Sequence, residues 1–235
     1  MIRPFNKYLI LLFGLLSLSG YSQDETTIAV EDSLYREDQF YFGITYNIAS
    51  SAPSGVSTLG ISGGLQLGFL RDMPVNARRN VAVAIGAGIS IDQYGQNLLI
   101  DKAPTGESIF SVIENTNSIS YNRLSTIVIE APVELRWRGS TPSIYKFWRV
   151  YSGIRFGYVI SHKAVYKDPN TRIRISDIPE LDKFRMTATL GIGYSTFNFQ
   201  VQYGINPLFS DSAITGTGEQ VEFIPLKLGF ILYIL

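Results

Sequence analysis

Large apolar residues alternate with smaller or polar ones along much of the chain. The first such stretch is QFYFGITYNIA, Gln39 to Ala49, in which every second residue is large and apolar. A period of two places these side chains on one face of a β-strand, whereas a helix with 3.6 residues per turn would scatter them. The length of the stretch, about ten residues, is what a tilted strand needs to cross the hydrocarbon core of a membrane.

The same alternation recurs in seven further stretches. Their apolar positions predict strands at about 61–69, 81–91, 127–137, 148–160, 184–194, 197–205 and 223–235. With the first stretch they make eight strands, and an even number is typical of bacterial outer-membrane barrels. We therefore predict an all-β fold, an eight-stranded antiparallel up-and-down transmembrane β-barrel.

The predicted connections alternate between short and long. The short ones lie at 72–80, 139–146 and 195–196, and the second of the long ones covers roughly 92–124. Outer-membrane barrels have short periplasmic turns and long external loops, so both termini are predicted to be periplasmic. Leu98 to Ile100 and Ile119 to Tyr121 are candidates to extend the third and fourth strands beyond the bilayer.

Two prolines, Pro132 and Pro225, fall inside predicted strands. Proline has no N–H to donate to the ladder, and a closed barrel has no edge strand to accommodate it. We therefore expect both prolines at β-bulges or beyond the paired part of their strands.

The two faces of the strands differ in composition. One face carries Phe, Ile, Leu, Tyr and Trp, and the other mixes glycine with Arg, Glu, Gln and Tyr. An eight-stranded barrel has an interior just wide enough for side chains, and eight rows of large apolar residues would overfill it. The apolar face is therefore predicted to face lipid, with Tyr46, Trp137, Trp148, Tyr158, Tyr194 and Tyr203 near the strand ends, at headgroup level. The alternative is a soluble secreted calyx with its apolar face inward around a ligand.

Charged residues on the inward face form the first candidate site. They are Glu130, Glu134, Arg136, Arg149, Arg155, Arg185 and Lys227. Unpaired charge in a narrow lumen is costly, so we expect a hydrogen-bonded network that plugs the barrel. The alternative, a charged conduction path, needs an open lumen that eight strands rarely leave.

The N-terminus has the pattern of an exported protein. Arg3 and Lys7 precede an apolar run from Leu9 to Leu18, and Gly20 and Ser22 are small residues at the spacing of a cleavage site. We predict a cleaved signal peptide at 1–22, a flexible periplasmic arm at 23–38 and the outer-membrane barrel at 39–235. A transmembrane anchor is the alternative, but the apolar run is shorter than a spanning helix requires.

Composition restricts the chemistry further. Lysine and arginine equal aspartate and glutamate at 20 each, which gives no indication of nucleic-acid binding, and no cysteine is present to form a disulfide or a thiolate metal site. The single histidine, His162, lies near Ser161 and Asp168 and is the one candidate for activating a nucleophile, although a loop histidine is usually only solvated. We predict a non-enzymatic protein with no cofactor, metal or small-molecule substrate.

Several local motifs resemble one known family. They are YREDQFYFGITYN (Tyr35 to Asn47), SGG at Ser62 to Gly64, GF at Gly68 and Phe69, RDMPVN (Arg71 to Asn76) with Arg79 and Asn80, and QYGQNL (Gln93 to Leu98). These motifs are similar to those of the PorT-like outer-membrane barrels of Bacteroidetes, which are small barrels of the porin family. The resemblance implies an accessory role in type IX protein secretion and the linked gliding motility, through contacts with other secretion-machinery proteins. A general structural or adhesive barrel with a plugged lumen is the alternative.

Three arginines near the first short connection form a second candidate site. Arg71, Arg78 and Arg79 lie in RDMPVNARRN, which we predict to be a periplasmic turn. Guanidinium groups pair with carboxylates, so this turn is a possible contact for a partner protein. The alternative is a solvated turn that only favours membrane topology.

Overall fold

The computed structural model describes residues 38–139 and 147–234. The predicted signal peptide at 1–22 lies outside the described residues, as does the predicted arm at 23–38 except for its last residue, Asp38. Within the two described ranges, no helix is long and apolar enough to cross a membrane.

Eleven strands occur in the described residues. They are β1 (Gln39–Ser51), β2 (Gly63–Pro74), β3 (Val81–Gly95), β4 (Leu98–Lys102), β5 (Ser108–Val112), β6 (Tyr121–Arg138), β7 (Trp148–Lys167), β8 (Arg172–Ile175), β9 (Phe184–Tyr194), β10 (Phe197–Gly204) and β11 (Ile224–Ile234).

Eight of these strands close into a barrel. Each pairs antiparallel with its neighbours in the order β1, β2, β3, β6, β7, β9, β10, β11, and β11 returns to pair with β1. Strand β8 pairs with β7 alone, and β4 and β5 form a separate hairpin. The predicted eight-stranded antiparallel up-and-down barrel is confirmed.

The barrel has two unlike ends. One end, called the turn end, holds the connections 75–80 and 195–196, the end of β6 at Arg138, the start of β7 at Trp148, and the ends of β1 and β11 at Gln39 and Ile234. The other, called the loop end, holds the connections 52–62, 96–120, 168–183 and 205–223. Short and long connections therefore alternate around the barrel as the sequence predicts.

The apolar face of the strands lies on the outer wall. Phe40 is 64% exposed whereas its neighbour Tyr41 is 2% exposed, and the same contrast continues along the other barrel strands. Inward residues include Gln66, Asp72 and Gln200, which are fully buried. The calyx alternative is wrong, because a calyx would bury the apolar face and expose the polar one.

Exposed aromatic residues mark the height of the apolar wall. On β7, Trp148 lies at the turn end and Tyr158 ten residues further on, and both are about half exposed. Ten residues at about 3.3 Å each span about 33 Å along the strand, or about 25 Å along the axis at a tilt of about 40°. This height matches the apolar band of outer-membrane barrels, which aromatic residues border on both sides.

Strands β6 and β7 extend further at the loop end than the alternation indicates. The predicted strands begin at 127 and end at 160, whereas β6 begins at Tyr121 and β7 ends at Lys167. A bulge explains the difference: Ile127 pairs with Ser161 and Val128 with Val159, which leaves Ile160 unpaired. Because of the extra residue, side chains that would have faced inward beyond Ile160 face outward, and the reverse. The alternation of the sequence is therefore interrupted at Ile160, which is where the predicted strand ends.

Leu98 to Ile100 does not extend the third predicted strand, which is a correction to the sequence analysis. These residues begin β4, which pairs with β5 as a hairpin in the longest connection. Tyr121, by contrast, is the first residue of β6 and does extend the fourth predicted strand.

The two prolines are accommodated differently. Pro225 pairs with Ala49 beside a bulge in β1, as predicted. Pro132 has no bulge, so that expectation is wrong for it. Its pairing with β7 is regular, but its pairing with β3 stops between Val133 and Glu130 and resumes without a change of register. A local gap in one ladder therefore accommodates the missing N–H.

The long connections fold into a hydrophobic core at the loop end, which the sequence analysis did not predict. This loop-end core consists of Tyr94, Leu98, Ile100, Phe110, Leu124, Val128, Val159, Ala164, Ile175, Ile178, Leu181, Leu208, Phe209, Ala213, Val221 and Phe223. The β4 and β5 hairpin, β8 and the connection 205–223 supply residues to it, and β3, β6 and β7 continue upward as its wall. The loop end is therefore a packed structure.

The outward position of Val201 gives a test of the wall. Val201 pairs with Leu190 and Leu228 in the middle of the apolar band, so Val201→Arg is expected to destabilise the folded barrel by about 2–4 kcal/mol. Ile205→Arg lies four residues further toward the loop end and is expected to cost about 0–1 kcal/mol. Urea unfolding in lipid vesicles measures both, and equal costs would contradict a lipid-facing Val201.

Candidate functional site

Two arginines share one carboxylate in the lumen near the turn end. Arg136 donates from Nη1 to Asp72 Oδ1 at 3.0 Å, and Arg138 donates from Nη1 to Asp72 Oδ2 at 2.7 Å. Arg136 also donates to Gln39 Oε1 at 2.9 Å. The side chains of Asp72, Arg136 and Arg138 are fully buried, so their charges interact in a medium of low dielectric constant.

Glu134 joins this cluster to a second arginine. Its Oε2 accepts from Arg136 Nε at 3.0 Å, and its Oε1 accepts from Arg155 Nη2 at 3.3 Å. Arg155 also donates to Glu130 Oε2 at 3.3 Å and to the Tyr41 hydroxyl at 3.4 Å. The charges therefore form one connected network across strands β1, β2, β6 and β7.

A separate ion pair lies closer to the loop end. Lys227 Nζ donates to Asp92 Oδ2 at 2.5 Å, and Asp92 also accepts from Asn47 and Ser90 at 3.2 Å. Between the two charged groups, the side chains of Gln66, Gln200 and Gln202 bond to one another at 2.9–3.2 Å. Polar contacts thus continue along the axis of the barrel.

Aromatic rings complement the positive charge of the lumen. The six buried cations Arg136, Arg138, Arg149, Arg155, Arg185 and Lys227 outnumber the four carboxylates Asp72, Asp92, Glu130 and Glu134. The guanidinium carbon lies 4.7 Å from the Tyr233 ring centre for Arg136 and 5.0 Å for Arg149. Arg155 lies 5.2 Å from the Tyr41 ring centre. These cation–π contacts partly offset the excess of positive charge.

Small inward residues make room for the tyrosine rings. A Cβ at Gly68 or Gly88 would overlap the Tyr41 ring, and a Cβ at Gly191 would overlap the Tyr151 ring. The alternation of glycine with large polar residues is therefore a packing requirement of the narrow bore.

The structure groups only some of the seven lumen residues predicted from sequence. Glu130, Glu134, Arg136 and Arg155 lie in one network. Lys227 belongs to the separate pair with Asp92. Each of the remaining two lies at one end of the barrel, where Arg149 donates to the Ser195 carbonyl oxygen at 3.4 Å and Arg185 to the Leu208 carbonyl oxygen at 3.1 Å.

Sequence reasoning missed the carboxylates Asp72 and Asp92 and the arginine Arg138. Each lies just past the end of a predicted strand, at a position that faces inward if the alternation of that strand is continued. Asp72, for example, follows the inward residues Gln66, Gly68 and Leu70 at the same spacing of two. Carrying the alternation up to three residues further would have found all three. The prediction stopped because charged residues near an apolar run resemble a turn.

Large buried side chains occupy the bore. Tyr41, Arg136, Arg138, Tyr151 and Arg155 are each less than 2% exposed, and the loop-end core lies beyond them on the same axis. Such an arrangement can hold the barrel wall rigid and block passage. It leaves these charges engaged with one another rather than with a substrate.

His162 makes a backbone contact and does not bond to Asp168, its candidate catalytic partner. It lies on β7 beyond the bulge at Ile160, and its Nε2 accepts a hydrogen bond from the Ile178 N–H at 3.2 Å. Asp168 instead accepts from the Tyr166 hydroxyl at 2.9 Å and from two backbone N–H groups of its own turn. Burial lowers the pKa of His162, as do Lys183 and Arg185, while Asp177 acts in the opposite direction.

The arginines of the second candidate site do not all lie in a turn, which corrects the sequence analysis. Arg71 belongs to β2 and is exposed on the outer wall, whereas Arg78 is exposed in the turn. Arg79 has a positive φ of 55°, and its carbonyl oxygen accepts from Arg138 at 3.2 Å. The turn is held by the bonds Arg79 N–H to Asn76 O and Val75 N–H to Val81 O, both 2.9 Å.

A polar cleft of about 620 Å³ opens at the loop end. Its lining includes Ser54, Ser57, Asn97, Ser111, Glu114, Thr116, Thr215, Thr217 and Glu219. Ser54 donates from its backbone N–H and its hydroxyl to Glu219 Oε1 at 2.9 and 3.1 Å. In the described part of the chain, no group of three or more His, Asp or Glu side chains is placed to hold a metal ion.

Comparison with known proteins gives one family match. A family model described as an outer membrane protein beta-barrel domain matches residues 21–210. A search of curated proteins found no match. One similar solved structure is the Yersinia pestis outer membrane protein Ail in a phospholipid bilayer nanodisc, with 13% identity over 84% of this chain and 100% of that chain and a TM-score of 0.32. That likeness is too low to support a conclusion about this chain.

Removing Arg155 tests whether the lumen network depends on its cation. Arg155→Ala leaves Glu130 and Glu134 with buried charge that has lost a partner, so we expect a loss of about 3–5 kcal/mol in the free energy of unfolding. Arg71→Ala removes the same charge from an exposed position and is the control, expected to change stability by less than about 0.5 kcal/mol. Urea unfolding in lipid vesicles measures the free energy of unfolding of both variants. Equal losses in the two variants would contradict the network.

The hydrogen bond to His162 predicts a pH-dependent contact at the loop end. The pKa of folded His162 lies below the unfolded value of about 6.5, so the stability it contributes is complete above about pH 6.5 and is lost as the pH falls through the folded pKa. Hydrogen-exchange protection of the Ile178 amide, corrected for the intrinsic rate, is expected to decrease over this range. His162→Gln supplies an acceptor that does not titrate, and an identical decrease in that variant would exclude His162 as the cause.

Proposed function

Because the chain belongs to the outer membrane protein β-barrel domain family, we propose that this outer-membrane barrel is a non-enzymatic accessory component of the type IX secretion machinery. In this role it acts through contacts with other secretion-machinery proteins and with outer-membrane lipid. The link to type IX secretion and gliding motility rests on the resemblance of its motifs, from Tyr35–Asn47 to Gln93–Leu98, to PorT-like barrels of Bacteroidetes.

The observation that supports a contact-based role is the occupied bore. Arg136, Arg138 and Arg155 cross the lumen with their guanidinium groups paired, and each is less than 2% exposed. A barrel of eight strands has no further width for a solute path once such side chains fill it. The surfaces at the two ends and the outer wall are what remains for a partner.

We place the turn end and both termini in the periplasm. In outer-membrane barrels the short connections face the periplasm and the long ones the exterior, and the connections of this barrel alternate in that way. After cleavage of the proposed signal peptide at 1–22, the arm at 23–38 then begins the mature chain in the periplasm. In this orientation the loop-end core and the polar cleft face the cell exterior.

Arg71 and Arg78 are the proposed periplasmic contacts for a partner. Both are exposed at the turn end, so their guanidinium groups are available to carboxylates of another protein. The short turn between β2 and β3 is fixed by backbone hydrogen bonds, which would present Arg78 in one arrangement. Arg79 contributes mainly through its carbonyl contact with Arg138.

A structural or adhesive barrel is the second candidate function. It is favoured by the loop end, where a packed core supports a polar cleft with many hydroxyl and carboxylate groups. An adhesive protein would concentrate its contacts there and not at the turn end.

Deletion of the gene tests the secretion role. The deletion strain is expected to lose type IX cargo from the culture medium while its outer membrane stays intact. Complementation with the unchanged protein should restore export, whereas Arg71→Gln/Arg78→Gln should restore it only partly and should lose co-purifying partners. Quantification of secreted cargo and affinity purification from detergent-solubilised membranes measure the two effects.

The matched control removes two cations from the loop end with Lys102→Gln/Lys183→Gln. Lys102 forms an ion pair with Asp177 at the surface, where the Lys102 side chain is 34% exposed and the Asp177 side chain 77% exposed, so little stability is lost. This control is expected to restore export fully. Normal secretion in the deletion strain would eliminate the secretion role and leave the structural or adhesive barrel.

A further inference from the structure

Five basic side chains lie together on the outer wall at the loop end. They are Arg123 on β6, Lys163 and Lys167 on β7, and Arg172 and Arg174 on β8, here called the basic patch. The bulge at Ile160 brings them together, because it reverses the phase of β7 so that Ser161, Lys163, Val165 and Lys167 share the outward face with Arg123. The neighbouring inward residue Ala164 belongs to the loop-end core.

The register brings the cations into neighbouring rows. Lys167 pairs with Tyr121 on one side and Arg172 on the other, and Val165 pairs with Arg123 and Arg174. Paired residues on adjacent strands are about 5 Å apart, and successive outward residues on one strand are about 7 Å apart. The five charges therefore emerge from an area of about 10 by 14 Å.

The strands that carry the patch do not balance its positive charge. None of the paired rows contains a carboxylate, and none of the five cations forms an ion pair within the described residues. Lys167 and Arg172 are like charges directly opposite each other, which destabilises a sheet. Asp168, the next residue in the chain, accepts hydrogen bonds from Tyr166, Asn170 and Thr171 and adds one negative charge beside the five positive ones. The arrangement therefore favours an external anion.

Val165 is a buried residue at the centre of the patch. It is 4% exposed although it faces outward and is not part of the loop-end core. Arg123 and Arg174 are its partners on the two flanking strands, so their aliphatic parts are the groups placed to cover it. The guanidinium of Arg123 lies 4.9 Å from the Tyr121 ring centre and donates to Gln93 Oε1 at 3.3 Å.

The position of the patch along the barrel axis indicates that the anion comes from lipid headgroups. Ile127 follows Arg123 by four residues on the same face of β6, and Ile129 and Ile160 beyond it are about half exposed. Four residues correspond to about 13 Å along the strand and about 10 Å along the axis at a tilt of about 40°. Basic side chains that begin where the apolar wall ends lie in the headgroup layer of a bilayer.

We propose that the basic patch binds the phosphate groups of anionic lipid in the membrane leaflet at the loop end. Arginine forks bind phosphate oxygens through two parallel hydrogen bonds, and the lysines add charge. Bound phosphate removes the repulsion between Lys167 and Arg172, and the acyl chains lie against the wall formed by Ile127, Ile129 and Ile160. In the orientation proposed above, this lipid belongs to the outer leaflet.

The test uses the folded full-length barrel in neutral maltoside micelles at low salt. Fluorescence anisotropy of labelled phosphatidic acid measures its apparent Kd for the protein. Lys167→Gln/Arg172→Gln is expected to weaken binding about thirtyfold, since each basic residue near an anionic surface accounts for about a fivefold change. Lys102→Gln/Lys183→Gln loses the same charge at the loop end but outside the patch, and is expected to stay within about twofold of the unchanged protein.

Three results would overturn the proposal. The first is that both variants weaken binding equally, and the second is that phosphatidylcholine binds as tightly as phosphatidic acid. The third is that inorganic phosphate displaces the labelled lipid at the concentration at which phosphate alone binds the protein, which would indicate a site for a soluble anion. Retention of the heat-modifiable folded band on gels confirms that each variant has folded. Lipid binding is measured without the secretion machinery, so its failure and a failure of the secretion role are separate outcomes.

Discussion

The narrowness of the bore is the constraint on which the rest of this structure depends. Eight strands leave room for side chains but little else, so the inward carboxylates must find their partners among the other inward groups. Asp72 and Glu134 each meet two arginines, which is an efficient use of few carboxylates at low dielectric constant. The remaining positive charge lies against tyrosine rings, for which glycines on neighbouring strands make the space.

Filling the bore with polar groups moves the hydrophobic core to an unusual place. A soluble barrel buries its apolar residues inside, whereas here the strand faces give those residues to the outer wall. The loop-end core lies above the lumen, built from the long connections and the extended ends of β6 and β7. The bulge at Ile160 lies between the two regions, and it reverses the face of β7 where the wall passes from the acyl chains to the lipid headgroups.

The sequence predicts the parts of this structure that follow from local periodicity. Alternation alone gives eight barrel strands, their order and the outward direction of residues such as Val201. It fails at Ile160 and at the β4 and β5 hairpin, because a single inserted residue or a short strand off the barrel leaves no period to follow. It also cannot pair Arg136 with Asp72, which lie 64 residues apart in the chain, since that contact depends on the curvature of the closed sheet.

The same side chain type serves different purposes according to its depth in the wall. Arg155 is buried and needs carboxylates within the bore, whereas Arg174 emerges on the outer wall where water and lipid headgroups are the available partners. A cluster of unpaired cations on a surface is tolerated in water, but in the bore it would be strongly destabilising. The inward arginines therefore need partners within the bore, whereas the outward cations of the basic patch remain available to a partner outside the chain. The end of the apolar wall beside it makes anionic lipid the simplest candidate.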